Sequence, residues 1–311
     1  MESCSCEGKG VKKSDKEAAQ WLRKAADQGL VLAQVALGDL HEKGRGVTKC
    51  SVKATQWWKK AAEQEDPVAQ YHLGYSFTTG RGVEKCPIQA AEWYKKAADQ
   101  GYAMAQCVMG NLYMFGFGVE QDDSVAADWY MKSAEQGQAE AKCFLGKMYL
   151  AGRGVAQSYE EAARLFKESA EQGYGEAQCN LGKLHLSGDG VARCDNEAAY
   201  WLELAADQGF APAQMELGTL LRQGRGVARN DVEAARLIKK SAHQGVAEAQ
   251  YHLGEMSATG RGVKKTTPKQ RGGSRKRLNK GMWRRSFSLG SSLTKDAACQ
   301  RTRKKRCTGF I

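Results

Sequence analysis

The chain predicts an all-α solenoid built from helical hairpins, and three observations carry that expectation. The tetrad Gly-x-Gly-Val begins at residues 8, 44, 80, 116, 152, 188, 224 and 260, a constant step of 36 without an insertion, and a fixed period of this length marks a stacked array. Between successive tetrads lie two stretches whose apolar residues recur at helical spacing. Polar capping residues and glycines bracket these stretches at the same register in unit after unit. With 42% hydrophobic residues among 311, the composition supports a sizeable core.

The first helix of a unit is exemplified by AEAKCFLGKMYLA, Ala139 to Ala151, with Ala141, Leu145, Met148 and Tyr149 at helical spacing. The second is exemplified by SDKEAAQWLRKAADQG. Its capping positions read Ser14, Cys50, Cys86, Asp122, Ser158, Cys194 and Asn230, mostly residues able to accept a bond from the free N–H groups of a first turn. Ser14/Glu17 and Ser158/Glu161 add a capping box, and Pro87 suits the first helical position. Gly29, Gly101, Gly137, Gly173, Gly209 and Gly245 supply a left-handed stop. Glu65 breaks that series, and Asp66-Pro67 is expected to make the turn instead.

Neither helix of a hairpin can bury its apolar stripe alone. Gly38, Gly74, Gly110, Gly146, Gly182, Gly218 and Gly254 fall inside first helices, where glycine costs about 1 kcal/mol relative to alanine. Close helix–helix approach is the expected compensation. Trp21, Trp57, Trp93, Trp129 and Trp201 share one position of the second helix, with Leu165 and Leu237 in the other copies, and they are expected to be core aromatics.

The combination A-x-A-Q-x-x-L-G, G-x-G-V and W-Y-x-K-A-A-x-Q-G, nearly complete in residues 103–137, resembles the Sel-one-like repeats, the SLR family, cousins of the tetratricopeptide repeat. The resemblance runs from about Gly8 to Val263. It implies a right-handed αα-superhelix of about seven repeat equivalents over 1–263, serving without catalysis as a scaffold or adaptor for other proteins, with no cofactor. The tetratricopeptide repeat proper has a period of 34 and is the weaker match. Met1 to Glu7 aligns with the end of a first helix, so the expectation is an array truncated at its N-terminus.

No basic start followed by an apolar run opens the chain, and nothing approaches ~18 consecutive apolar residues. An intracellular, cytoplasmic location is therefore expected. Cys107, Cys143 and Cys179 occupy one apolar slot of successive first helices. Equivalent positions on packed helices lie ~8–10 Å apart, beyond the ~7 Å reach of a disulfide, so buried thiols in a reducing compartment are expected. Cysteine-rich relatives of the family carry a disulfide within each repeat and have been linked to β-lactam binding. That makes a β-lactam-hydrolysing enzyme the alternative function. Ser292-Leu-Thr-Lys295 matches S-x-x-K but lacks the partner motifs S-D-N and K-T-G. His41, His72, His185, His243 and His252 form neither H-E-x-x-H nor a zinc spacing.

The candidate binding surface is the stripe of the first helix that differs between copies, while Leu37, Leu73, Leu145 and Leu217 stay constant on another. Its members include His72 and Tyr75, Asn111 and Phe115, Phe144 and Lys147, and Asn180 and Lys183. With first helices inward the stripe lines the concave surface, and Tyr75 and Phe144 are its expected anchors.

Residues 264–311 carry 16 Lys/Arg against one acid, Asp296, whereas the remainder has 31 Lys/Arg against 34 Asp/Glu. The formal charge of +12 thus belongs to the tail, which is expected to be disordered. Read as a basic arm, the tail offers a second alternative, nucleic-acid binding. A different reading accounts for it better. Taking the third base of each codon with the first two of the next, permitted codons from 269 onward give E-A-A-x-W-L-x-K-A-A-E-Q-G and then H-V-E-A-Q-F-Q-L-G. Each landmark falls 36 beyond its counterpart in the preceding unit, and a Gly-Arg-Gly-Val follows at position 296. A one-base frame shift near Lys265 to Pro268 is therefore expected to have replaced at least one more repeat.

Overall fold

The computed structural model describes residues 14–262. In chain order the helices are α1 Asp15–Asp27, α2 Val31–Lys43, α3 Ser51–Ala62, α4 Pro67–Thr79, α5 Pro87–Asp99, α6 Ala103–Phe115, α7 Asp123–Glu135, α8 Ala139–Ala151, α9 Tyr159–Glu171, α10 Gly175–Ser187, α11 Asp195–Asp207, α12 Ala211–Gln223, α13 Asp231–His243 and α14 Ala247–Thr259. Even numbers are first helices and odd numbers second helices. Each packs on its neighbours in sequence, giving an all-α solenoid of about seven repeats. The basic tail, with its expected disorder and frame shift, lies outside the described residues, as do Ser292 and Lys295.

The helix starts follow the capping chemistry in part. Ser14, Ser158 and Asn230 accept from the backbone N–H of Glu17, Glu161 and Glu233 at 3.3, 3.2 and 3.0 Å, and Asp122 accepts from Ser124 and Val125. Cys50, Cys86 and Cys194 stand at the same position with no side-chain capping bond, as expected of a weakly accepting thiol. At the break in the glycine series the expectation needs correcting. Glu65 itself adopts the left-handed conformation, φ 65°, so the turn keeps its geometry at the strain cost of a β-carbon. Asp66 and Pro67 act on the far side of it: Asp66 accepts from Ala69 N–H at 2.7 Å and Pro67 opens α4.

The interior glycines are seats for side chains of the following helix. A β-carbon on Gly110 would stand 2.6 Å from two ring carbons of Tyr130, and one on Gly146 2.9 Å from Phe166. Trp58, Tyr94, Leu202 and Ile238 occupy the equivalent place over Gly38, Gly74, Gly182 and Gly218. The deepest layer is thus one residue beyond the tryptophan position: Tyr130, Phe166, Leu202 and Ile238 are fully buried. Trp57 and Trp129 are buried as expected, but Trp21 is 65% exposed. Trp57 packs with Ala26, Ala33 and Leu37 of the preceding helices, and no counterpart of that slot for Trp21 exists among the described residues. Lys24, Lys60, Lys96 and Lys132 lie over the rings of Trp21, Trp57, Trp93 and Trp129 at 4.2, 4.3, 4.1 and 4.4 Å.

Two further devices lock unit to unit. The buried glutamine of A-x-A-Q bridges two second helices: Gln106 donates to the Ala98 carbonyl at 3.2 Å and accepts from Gln136 at 2.7 Å. Gln34, Gln70, Gln178 and Gln214 repeat the pattern. Lys142 replaces the glutamine in α8, and Glu168 replaces the lysine of the ring-stacking position in α9. These two exchanged residues pair at 2.7 Å. The second device is at the tetrad. Its second glycine, as in Gly154, approaches so closely that a β-carbon would overlap the Asp123 carbonyl of the preceding second helix. There Arg153 donates to both oxygens of Asp123 at 3.0 and 2.7 Å, as Arg45 does to Asp15 and Arg225 to Asp195.

Candidate functional site

The stripe read from sequence forms one surface in the structure, because first helices of successive units lie side by side and bond across the seam. Asp39 on α2 approaches His72 on α4 at 3.8 Å, Lys147 on α8 pairs with Glu176 on α10 at 2.9 Å, Lys183 on α10 with Glu216 on α12 at 3.5 Å, and Arg222 on α12 with Glu255 on α14 at 3.6 Å. Each pair is partly exposed, so each adds little stability by itself. Their repetition holds the side chains of the face in place.

Most candidate residues are engaged by this framework. The His72 ring stacks on Trp58 at 4.7 Å, and burial pushes its imidazole below the ordinary value, against the opposing pull of Asp39 and with the help of Lys43. Asn111 accepts from the Tyr130 hydroxyl at 2.6 Å. Phe144 stacks on Tyr130 with centroids 5.4 Å apart, and Lys147 Nζ lies 4.0 Å above its face. Asn180 reaches the Cys143 sulfur at 4.0 Å. Phe144 is consequently half-buried in the framework, whereas Tyr75 and Phe115 are 38% and 55% exposed.

Sequence reasoning missed Phe117, which is 62% exposed with its ring 6.0 Å from that of Phe115. It occupies the tetrad position of Arg45, Arg153 and Arg225, and Pro87 stands where their aspartates do. The signal was available as a broken covariation, an arginine and an aspartate 30 residues apart replaced together. Pro87 and Ile88 are exposed beside it.

A family model for the Sel1 repeat matches eight consecutive segments, 3–30, 31–66, 67–102, 103–138, 139–174, 175–210, 211–246 and 247–266. The chain belongs to the Sel1 repeat family. Members of this family typically serve as protein-interaction scaffolds. Among solved structures the chain is similar to c5321, a protective antigen present in uropathogenic Escherichia coli strains that displays an SLR fold. The identity is 34%, the TM-score 0.71, and the match covers 84% of this chain and 64% of that one. It is also similar to a Sel1 repeat protein from Oxalobacter formigenes at 36% identity and TM-score 0.65, covering 81% of this chain and 73% of that one. The chain thus spans a little under two thirds of the first relative. Comparison with the curated proteins gave no match.

Within the Sel1 array the cysteine slot is apolar. Cys107, Cys143 and Cys179 are buried free thiols, and burial pushes them up to about 12, 12 and 11, far from the thiolate a nucleophile or metal ligand requires. Among the described residues no group of three or more His, Cys, Asp or Glu is placed to hold a metal ion, and no helix is long and apolar enough to cross a membrane. Two shallow depressions, one lined by Arg23, Asp27, Trp57 and Lys60 and the other by Arg222, Arg229, Glu255 and Arg261, are open and charged.

Proposed function

We propose that this Sel1 repeat protein is a non-catalytic scaffold that binds partner proteins on the concave surface formed by its first helices. The carrying observation is the contrast within one face: His72, Lys147, Asn180 and Lys183 are engaged across the seams, and Asn111 and Phe144 are held by Tyr130 of α7, while Tyr75 and Phe115 project from it. The engaged residues fix the shape of the surface and reduce the side-chain entropy lost on binding. The projecting rings supply the apolar area from which interface hot spots are made. Charged pairs between them set specificity through the pattern of partner groups they accept or repel.

A photo-crosslinking residue placed at position 75 or 115, compared with one at Lys132 on a second helix, tests the assignment in the native cell. Adducts concentrated at 75 and 115 support it. Equal or greater capture at 132 refutes it.

A further inference from the structure

The interior glycine of α14 differs from its six counterparts. Gly38, Gly74, Gly110, Gly146, Gly182 and Gly218 each receive a side chain from the second helix that follows, always 20 residues further along: Trp58, Tyr94, Tyr130, Phe166, Leu202 and Ile238. Over Gly254 nothing lies within 4 Å among the described residues. The surroundings agree. Leu37, Leu73, Leu145, Leu181 and Leu217 are buried, whereas the equivalent Leu253 is half-exposed, Gly254 itself is exposed and Tyr251 is 64% exposed. Yet α14 is already held on its other side, with Ala249 and Met256 buried against Ala234, Ala235 and Ile238. It is a docked helix with one apolar face that no other described residue covers.

We propose that this face is the docking surface for the second helix of one further Sel1 hairpin, encoded by the same stretch of gene one base out of the translated frame. The structure supplies a requirement that sequence reading did not have: the occupant must place a large apolar side chain 20 residues after Gly254. Permitted codons in the shifted frame allow E-A-A-x-W-L-x-K-A-A-E-Q-G from position 269, with a leucine at position 274, where the translated chain has Ser274. Leucine is what sits on Gly182 in the same place. The tryptophan at 273 falls at the position of Trp57 and Trp129, and the two alanine pairs match Ala234-Ala235 and Ala205-Ala206. The helix that the seat demands and the helix that the shifted codons permit agree in type and in register. The translated PKQRGGSRKRLNKG offers no such pattern.

The test compares two proteins, the chain as translated and the chain with its frame restored by one base near codons 265 to 268, each with and without Gly254→Ala. In the translated chain the new methyl enters open space and exchanges glycine for a better helix former, so the melting temperature holds or rises. In the restored chain the same methyl collides with the leucine at 274, and a drop of about 2–4 °C is expected. Hydrogen exchange in α14 should slow in the restored chain. Transcript reads across codons 262–275 should show the extra or missing base. The proposal is overturned by an intact frame in the transcript, by an unaltered response to Gly254→Ala after restoration, or by concentration-dependent protection of α14 in the translated chain, which would make a second copy the occupant.

Discussion

Gly110→Ala tests the packing logic of the whole array with a single methyl group. The added carbon would stand 2.6 Å from Cδ1 and Cε1 of Tyr130 and 2.8 Å from Cζ, well inside the 3.5–4.0 Å at which carbons attract. Tyr130 is fully buried, its hydroxyl donates to Asn111 at 2.6 Å, and its ring stacks on Phe144. The ring therefore cannot swing aside without breaking those contacts, and α6 and α7 must separate instead. Overpacking of this kind costs about 1–3 kcal/mol, and removing a mid-helix glycine returns about 1 kcal/mol. With the ring unable to yield, the upper part of that range applies, about 2–3 kcal/mol, so a net loss on the order of 1–2 kcal/mol is expected, read as a lower urea midpoint at unchanged m-value. Gly110→Ala combined with Tyr130→Leu should recover part of it, because the smaller side chain relieves the collision. Unchanged or raised stability in the single variant would refute the claim that these glycines are seats.

Three other outcomes follow from particular residues. Glu65→Gly removes a β-carbon from a left-handed position and should stabilise by about 1 kcal/mol, checked by the urea midpoint. Cys107, Cys143 and Cys179 should resist alkylation at pH 8 in the native protein while the half-exposed Cys50 and Cys194 react, with mass spectrometry after short labelling as the assay. His72 is held below its ordinary value by burial, so the unfolded chain binds the proton more readily and stability rises with pH. The contribution is complete above about pH 6.5 and lost as pH falls through the folded value. Between pH 7 and 5 the urea midpoint of His72→Gln should therefore fall less than that of the parent.

The fold was legible because the array repeats itself eight times in one chain. A single unit of AMAQCVMGNLYMFGFGVEQ could be misread, but the recurrence of its glycines at 36-residue steps assigns them to turns and seats at once. The first helix expected at Ala139 to Ala151 is α8 to the residue. What stayed hidden is what crosses between units. The Arg153–Asp123 bond and the glutamine bridge from Gln136 to Gln106 each join residues 30 apart, a distance that neither helical periodicity nor the repeat length announces. Periodicity groups Trp21 with its copies and cannot distinguish the buried Trp57 and Trp129 from the half-buried Trp93 and Trp201 or from Trp21, which is exposed among the described residues. The candidate stripe is marked by its variation, but variation does not separate Phe144, half-buried under Lys147, from Phe115, which projects. Only the packing of α7 against α8 makes that distinction.

On the proposed function, the projecting rings of the first-helix face carry partner binding. The most direct measurement is proximity labelling and pull-down in the native cell with Tyr75→Ala/Phe115→Ala, beside a Tyr200→Ala control that removes a ring 54% exposed on the second helix α11. Both side chains are substantially exposed, so the double variant should keep its helical circular dichroism and its melting temperature. It should lose the partners that the parent and the control both keep. Retention of every partner by the double variant would contradict it.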